Sequence, residues 1–147
     1  MTKSERARED SFWLDGDTSR VGEEPDAAPH YDLEERTARF DPAIIDFAKR
    51  IPRGPLTDHI IDQLVRAETS VGANYIEADD SVSKKEFLKC IGTCKKEACE
   101  TKHFLRMVAC AVPELQTDAR KLRLEARALY LIFARIWRTG KQSNEAQ

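Results

Sequence analysis

An all-α fold, an antiparallel up-and-down four-helix bundle, is the architecture the sequence predicts, and three observations predict it. Apolar residues recur at three- and four-residue spacing in four successive stretches, no stretch alternates apolar and polar as a half-buried strand would, and the joints between them carry Pro, Gly, Asp or Ser. The composition agrees: 34% of the 147 residues are charged and 7% aromatic, which suits helices with solvated faces better than a β-sandwich. The length allows one domain, or one domain with a tail, and excludes a two-domain enzyme.

Residues 1–30 hold 8 acidic and 4 basic groups with Gly16, Gly22, Pro25 and Pro29. They read as a disordered acidic tail, in which Phe12-Trp13-Leu14 is either an incidental apolar spot or a small docking element. The bundle is assigned to 31–140 and a second disordered end to 141–147. Asp41-Pro42 reads as the start of the first helix, with Asp as cap and Pro at the first helical position. Ile44, Phe47, Ala48 and Ile51 follow at helical spacing, and the Pro52-Arg53-Gly54-Pro55 run stops them. A second helix opens near Thr57, buries Ile60, Ile61, Leu64, Ala67, Val71, Tyr75 and Ala78, and breaks at Asp79-Asp80-Ser81. Ser83 and Glu86 form a capping box for a third helix, whose stripe from Phe87 through Cys90, Ile91, Cys94, Ala98, Thr101 and Leu105 to Val112 ends before Pro113. The fourth is expected from a Thr117 or Asp118 cap to about Arg138, before Gly140. It carries two apolar stripes, one with Leu122, Leu129, Phe133 and Ile136, the other with Leu124, Ala128, Leu131 and Ile132. A helix apolar on two sides is covered on two sides, so a homo-oligomer is expected.

The net charge of -2 conceals opposed regions: residues 1–82 sum to -9 and residues 83–141 to +8. On the third helix Lys84, Lys95, Lys102 and Arg106 fall within about 40° of one another at about 100° per residue, with Lys85, Lys89 and Lys96 beside them. On the fourth, Arg120, Arg123, Arg127 and Arg138 form a second strip. Adjacent basic strips with few acidic residues between them point to RNA or DNA bound through its phosphates. No aromatic-rich stacking platform accompanies the lysines in sequence, so base-specific readout is not expected.

Other chemistry finds little support. Cys90, Cys94, Cys99 and His103 are spread around both sides of one helix, so a metal site is not expected. No Gly-rich phosphate loop and no Gly-x-Ser-x-Gly elbow occurs. Glu68, Glu77, Asp79 and Asp80 read as solvated charges near a helix end. Neither an enzyme nor a cofactor is predicted. The four cysteines read as reduced thiols, and no apolar run approaches the roughly 20 residues of a membrane span, so a cytoplasmic protein is expected.

Several segments together resemble a known family. They are Asp32-Leu33-Glu34-Glu35-Arg36-Thr37, the run Ser70-Val71-Gly72-Ala73-Asn74-Tyr75-Ile76-Glu77-Ala78, Ser83-Lys84-Lys85-Glu86-Phe87, and Lys95-Lys96-Glu97-Ala98. Over about Tyr31 to Arg138 the chain resembles the four-helix-bundle family named after the 23S rRNA intervening-sequence proteins. The resemblance implies a bacterial, cytoplasmic homopentamer whose role is undetermined. Related bundles are accessory subunits of the reverse transcriptases of diversity-generating retroelements, so a protein-interaction scaffold with a reverse transcriptase as partner stands as the alternative to nucleic-acid binding. The chain departs from the family at His103-Phe104, where an aromatic pair is common, and in its acidic tail. Asn74 and Glu77 of the motif form either a polar cluster that fixes the following loop, with Lys84 or Lys85 in reach, or a binding site. Gly72 and Ala73 lack bulk and allow another helix to approach.

Overall fold

The computed structural model describes residues 29–145. The expected disordered tail lies outside the described residues as far as position 28, as do residues 146 and 147. Four helices follow one another: α1 (Pro29–Arg50), α2 (Pro55–Asp79), α3 (Lys84–Ala111) and, after a 3-10 turn at Pro113–Leu115, α4 (Gln116–Glu145). Inter-helix contacts run antiparallel at every joint. Cys94 meets Val71 and Cys90 meets Glu77 between α2 and α3, and Lys84 meets Ser143 between α3 and α4. Arg36 holds Glu125 and Arg50 holds Asp118 between α1 and α4.

α1 starts twelve residues before the expected Asp41-Pro42 cap. Leu33, Thr37, Phe40, Ile44, Phe47 and Ile51 are all buried, a stripe at alternating four- and three-residue steps that passes straight through Pro42. Proline removes the N–H that would serve the Ala38 carbonyl. Ala38 and Pro42 are both exposed, so water replaces the lost bond and the packing of the buried stripe prevails over the local stop signal.

α2 opens at Pro55 with Gly54 before it. The Asp58 carboxylate accepts from the Gly54 N–H at 3.1 Å and from Arg53 Nε at 2.6 Å, and these bonds hold the Asp58 carboxyl below its ordinary range. α3 has the expected Ser83 cap, whose Oγ accepts from Glu86 N at 3.1 Å. The Glu86 carboxylate, however, accepts from the N–H of Val82 at 3.2 Å rather than from that of Ser83.

α4 runs past Gly140 to Glu145, so residues 141–145, expected in a disordered end, are helical. Gly140 is no stop. A Cβ there would lie 2.3 Å from Leu88 Cδ2, so its missing side chain is the space Leu88 fills on α3. The helix is also not capped by Thr117 or Asp118: the 3-10 turn leads directly into it, and Asp118 pairs with Arg50 at 2.6 Å.

The core is one cluster drawn from all four helices, with Ile44, Leu64, Ile91, Leu105, Leu129 and Phe133 fully enclosed. Cys90 and Cys94 are buried while Cys99 and Cys110 are exposed, and all four are free thiols. Among the described residues no helix is long and apolar enough to cross a membrane.

Glu68 overturns its reading as a solvated helix-end charge, because it is 1% exposed in the middle of α2. Its carboxyl is enclosed beside Asp41 of α1 and Thr101 of α3; the Thr101 hydroxyl donates to Glu97 O at 2.9 Å, and Glu68 Oε1 and Asp41 Oδ1 are both buried without a hydrogen-bond partner. Burial first, and then the neighbouring Asp41, push it up to about 9, so it holds a proton at neutral pH. Burial raises Asp41 as well. Asp41 therefore does not cap a helix; it is a tie between helices. Gly72 makes the tie possible, since a Cβ there would fall 2.3 Å from Asp41 Oδ2. The small residues of the motif do admit a neighbouring helix, and what enters is a carboxyl group. Gly72→Ala is expected to destabilise the fold by about 2 kcal/mol in chemical denaturation, overpacking outweighing the helix propensity gained. In an Asp41→Ala background the same change should cost much less; an equal cost in both backgrounds would show that the Asp41 contact is not its cause.

Candidate nucleic-acid interface

The α3–α4 seam gathers part of the basic set onto one surface. Seven residues separate Lys95 from Lys102, and seven separate Tyr130 from Trp137, so the antiparallel pair meets in two rungs about 10 Å apart. Lys95 Nζ lies 5.0 Å from the Trp137 ring centroid and Lys102 Nζ 4.5 Å from that of Tyr130. Lys141, one turn beyond Trp137, lies 5.4 Å from the same indole. These are cation–π distances. One heptad further along α4, half-buried Arg123 feels both burial and the positive charge of Arg106, which together lower its pKa.

The other basic residues are distributed more widely. Lys84 sits at the end of the seam, its Nζ donating to Ser143 Oγ at 2.8 Å. Lys85, Lys89, Lys96, Arg106 and Arg120 are exposed, and Arg127 is half-buried on α4. Lys85, Lys89 and Lys96 thus line the outer surface of α3, beside the seam.

Over α3, between the edges of α2 and α4, lies an open groove of about 760 Å³. Trp137, Tyr130 and Phe104 supply its apolar part, and Lys95 and Lys96 its charge. Gly92 deepens it, since a Cβ there would press on Trp137 Nε1 at 3.2 Å. The α2 edge is closed by Arg66, whose Nη1 contacts Glu97 Oε2 at 3.2 Å while Nη2 binds Glu100. Arg66 thus shares one positive charge between two carboxylates, and the α2 edge of the groove stays net acidic.

Tyr130 and Trp137 are the residues that sequence reasoning missed. They come from a different helix and pack, partly buried, between the core and the lysines above them. The signal available was the shared seven-residue spacing of the two pairs.

The motif cluster is not drawn together as expected. Asn74 Nδ2 donates to Ser70 O at 2.8 Å and to Ser70 Oγ at 3.2 Å, within its own helix. Exposed Glu77 is approached at 4.0 Å by the Cys90 thiol, and Lys84 reaches α4 instead. Among the described residues no group of three or more His, Cys, Asp or Glu could hold a metal ion.

Among solved structures, the chain is similar to a protein of unknown function from the S23 ribosomal protein family of Bacteroides thetaiotaomicron. The two superpose with a TM-score of 0.65 at 19% identity, over 75% of this chain and 98% of that one. The likeness shows a shared fold. No family model matches the sequence, and no curated protein matches it.

Proposed function

We propose that this chain is a non-catalytic, homo-oligomeric four-helix-bundle protein that binds RNA or DNA through the basic faces of α3 and α4. The observation that carries the reading is the seam itself, where Lys95 and Lys102 lie over Trp137 and Tyr130. The lysines supply phosphate contacts along a groove, and the rings beneath hold them in place on the surface, which suits backbone binding of nucleic acid rather than base readout. The shared fold agrees with distant kinship to the intervening-sequence proteins; the homopentameric assembly and the cytoplasmic setting are carried by the motif resemblance alone.

Leu124 and Leu131, one heptad apart on α4 and 50% and 48% exposed, support self-association through the second apolar stripe. The same pair favours the second reading, a scaffold that docks a protein such as a reverse transcriptase.

One preparation tests both parts of the proposal. Light scattering is expected to return a multiple of the 16.8 kDa chain. Titration of a fluorescent single-stranded oligonucleotide is expected to give micromolar binding or tighter that weakens steeply with salt. A monomer would remove the assembly, and the absence of salt-sensitive binding would remove the interface.

A further inference from the structure

We propose that the α3 groove is the docking site for the chain's own N-terminal segment, residues 9–17. This segment carries Glu9, Asp10, Asp15 and Asp17, no basic residue, and Phe12-Trp13-Leu14 at its centre. The groove complements it over the side toward α4, with Lys95 and Lys96 beside an apolar floor of Trp137, Tyr130 and Phe104 opened by Gly92, while Glu100 with Arg66 marks the α2 edge that the segment's acidic flanks avoid. A peptide with a few large apolar side chains between acidic flanks matches both the shape and the charge of such a surface.

Chain length permits the contact. α1 and α3 run in the same direction, so Pro29 lies at the end of the bundle where α3 begins and α4 ends. Lys95 stands eleven residues into α3, about 16 Å from that end. α1 does not touch α3 and stands diagonally across the bundle from it, so crossing the bundle end to the outer side of α3 adds about 20 Å, for about 36 Å in all. The 14 residues from Asp15 to Ala28 reach about 46–50 Å when extended. The segment therefore reaches the groove in its own chain.

The docking proposal stands whether or not nucleic acid binds. Where nucleic acid does bind, segment and ligand exclude one another at Lys95 and Trp137.

Cys99 provides a reporter, since it is exposed in the groove wall, while Cys110 is exposed further along α3 outside the lining. In the full-length protein a thiol-reactive dye should modify Cys99 about tenfold more slowly than Cys110. The combined Phe12→Ala, Trp13→Ala and Leu14→Ala variant should raise the Cys99 rate to near that of Cys110. An unchanged Cys99 rate in that variant overturns the proposal, including the case in which a second copy covers the groove by other residues. As a second measurement, Trp13→Cys in a Cys110→Ser background should form a disulfide with Cys99 under mild oxidation. An intrachain or an interchain product supports docking, and absence of both overturns it. Neither result depends on oligonucleotide binding, so this proposal and the nucleic-acid reading fail separately.

Discussion

Replacing Glu68 with Gln is expected to make the protein more stable at neutral and alkaline pH. Glu68 is raised to about 9 in the fold, whereas in an unfolded chain it titrates near its ordinary value of 4.5. Between those values the folded state binds the extra proton, so stability falls as pH rises through the window and is complete only below it. At pH 7 holding that proton costs the wild-type fold about 3 kcal/mol. Gln has the same shape, carries no charge, and donates an amide N–H toward Asp41 where the protonated acid donates its O–H. Glu68→Gln should therefore raise Tm by about 5–10 °C at pH 7 and by more at pH 8.5, with little difference at pH 4.5. Thermal melts across that range provide the measurement. A variant whose stability runs parallel to wild type from pH 5 to 9 would show that the carboxyl is not the titrating group. Asp41 is raised in the same direction, so some slope remains at the acidic end of the variant's profile.

The second large effect is expected at the seam. Lys95→Glu combined with Lys102→Glu should lower affinity for a single-stranded oligonucleotide by at least about tenfold near 0.1 M salt. It should also reduce the slope of log K against log salt by about 1.4–1.8, the amount for two phosphate contacts. The loss of two cation–π contacts costs about 1–2 kcal/mol of stability, which leaves the fold intact. Lys49→Glu combined with Lys121→Glu is the charge-matched control, because exposed Lys49 lies on α1 and exposed Lys121 faces α1 beside Asp118, away from the seam. Equal losses from the control and the seam variant would mean that net charge, and not the seam, governs binding.

Much of the architecture was legible because it follows from period alone. The stripe of α2 from Ile61 to Ala78 and that of α3 from Cys90 to Val112 are buried as their spacing requires. The failures share a cause. Pro42, Gly140 and Asp41 are residues whose local preference is to end or cap a helix, and each is overruled by the packing of helices against one another. Pro42 sits on the solvent side of a buried stripe, Gly140 makes room for Leu88, and Asp41 enters the space above Gly72. Glu68 was misplaced for the same reason, since nothing near it in sequence reveals that Asp41 and Thr101 surround it. The candidate site divides in the same manner. The lysines of α3 share a helix and their common face was visible, but Trp137 and Tyr130 join them only through the register of α3 against α4.

Gly72, Asp41 and Glu68 have a joint consequence for how this sequence can drift. A methyl group at position 72 is carried at lower cost by a chain that has already given up the carboxyl at 41. Giving up that carboxyl also removes one of the groups that keep the enclosed acid at 68 protonated. The three positions therefore form one heritable unit, in which the glycine changes most readily after the aspartate.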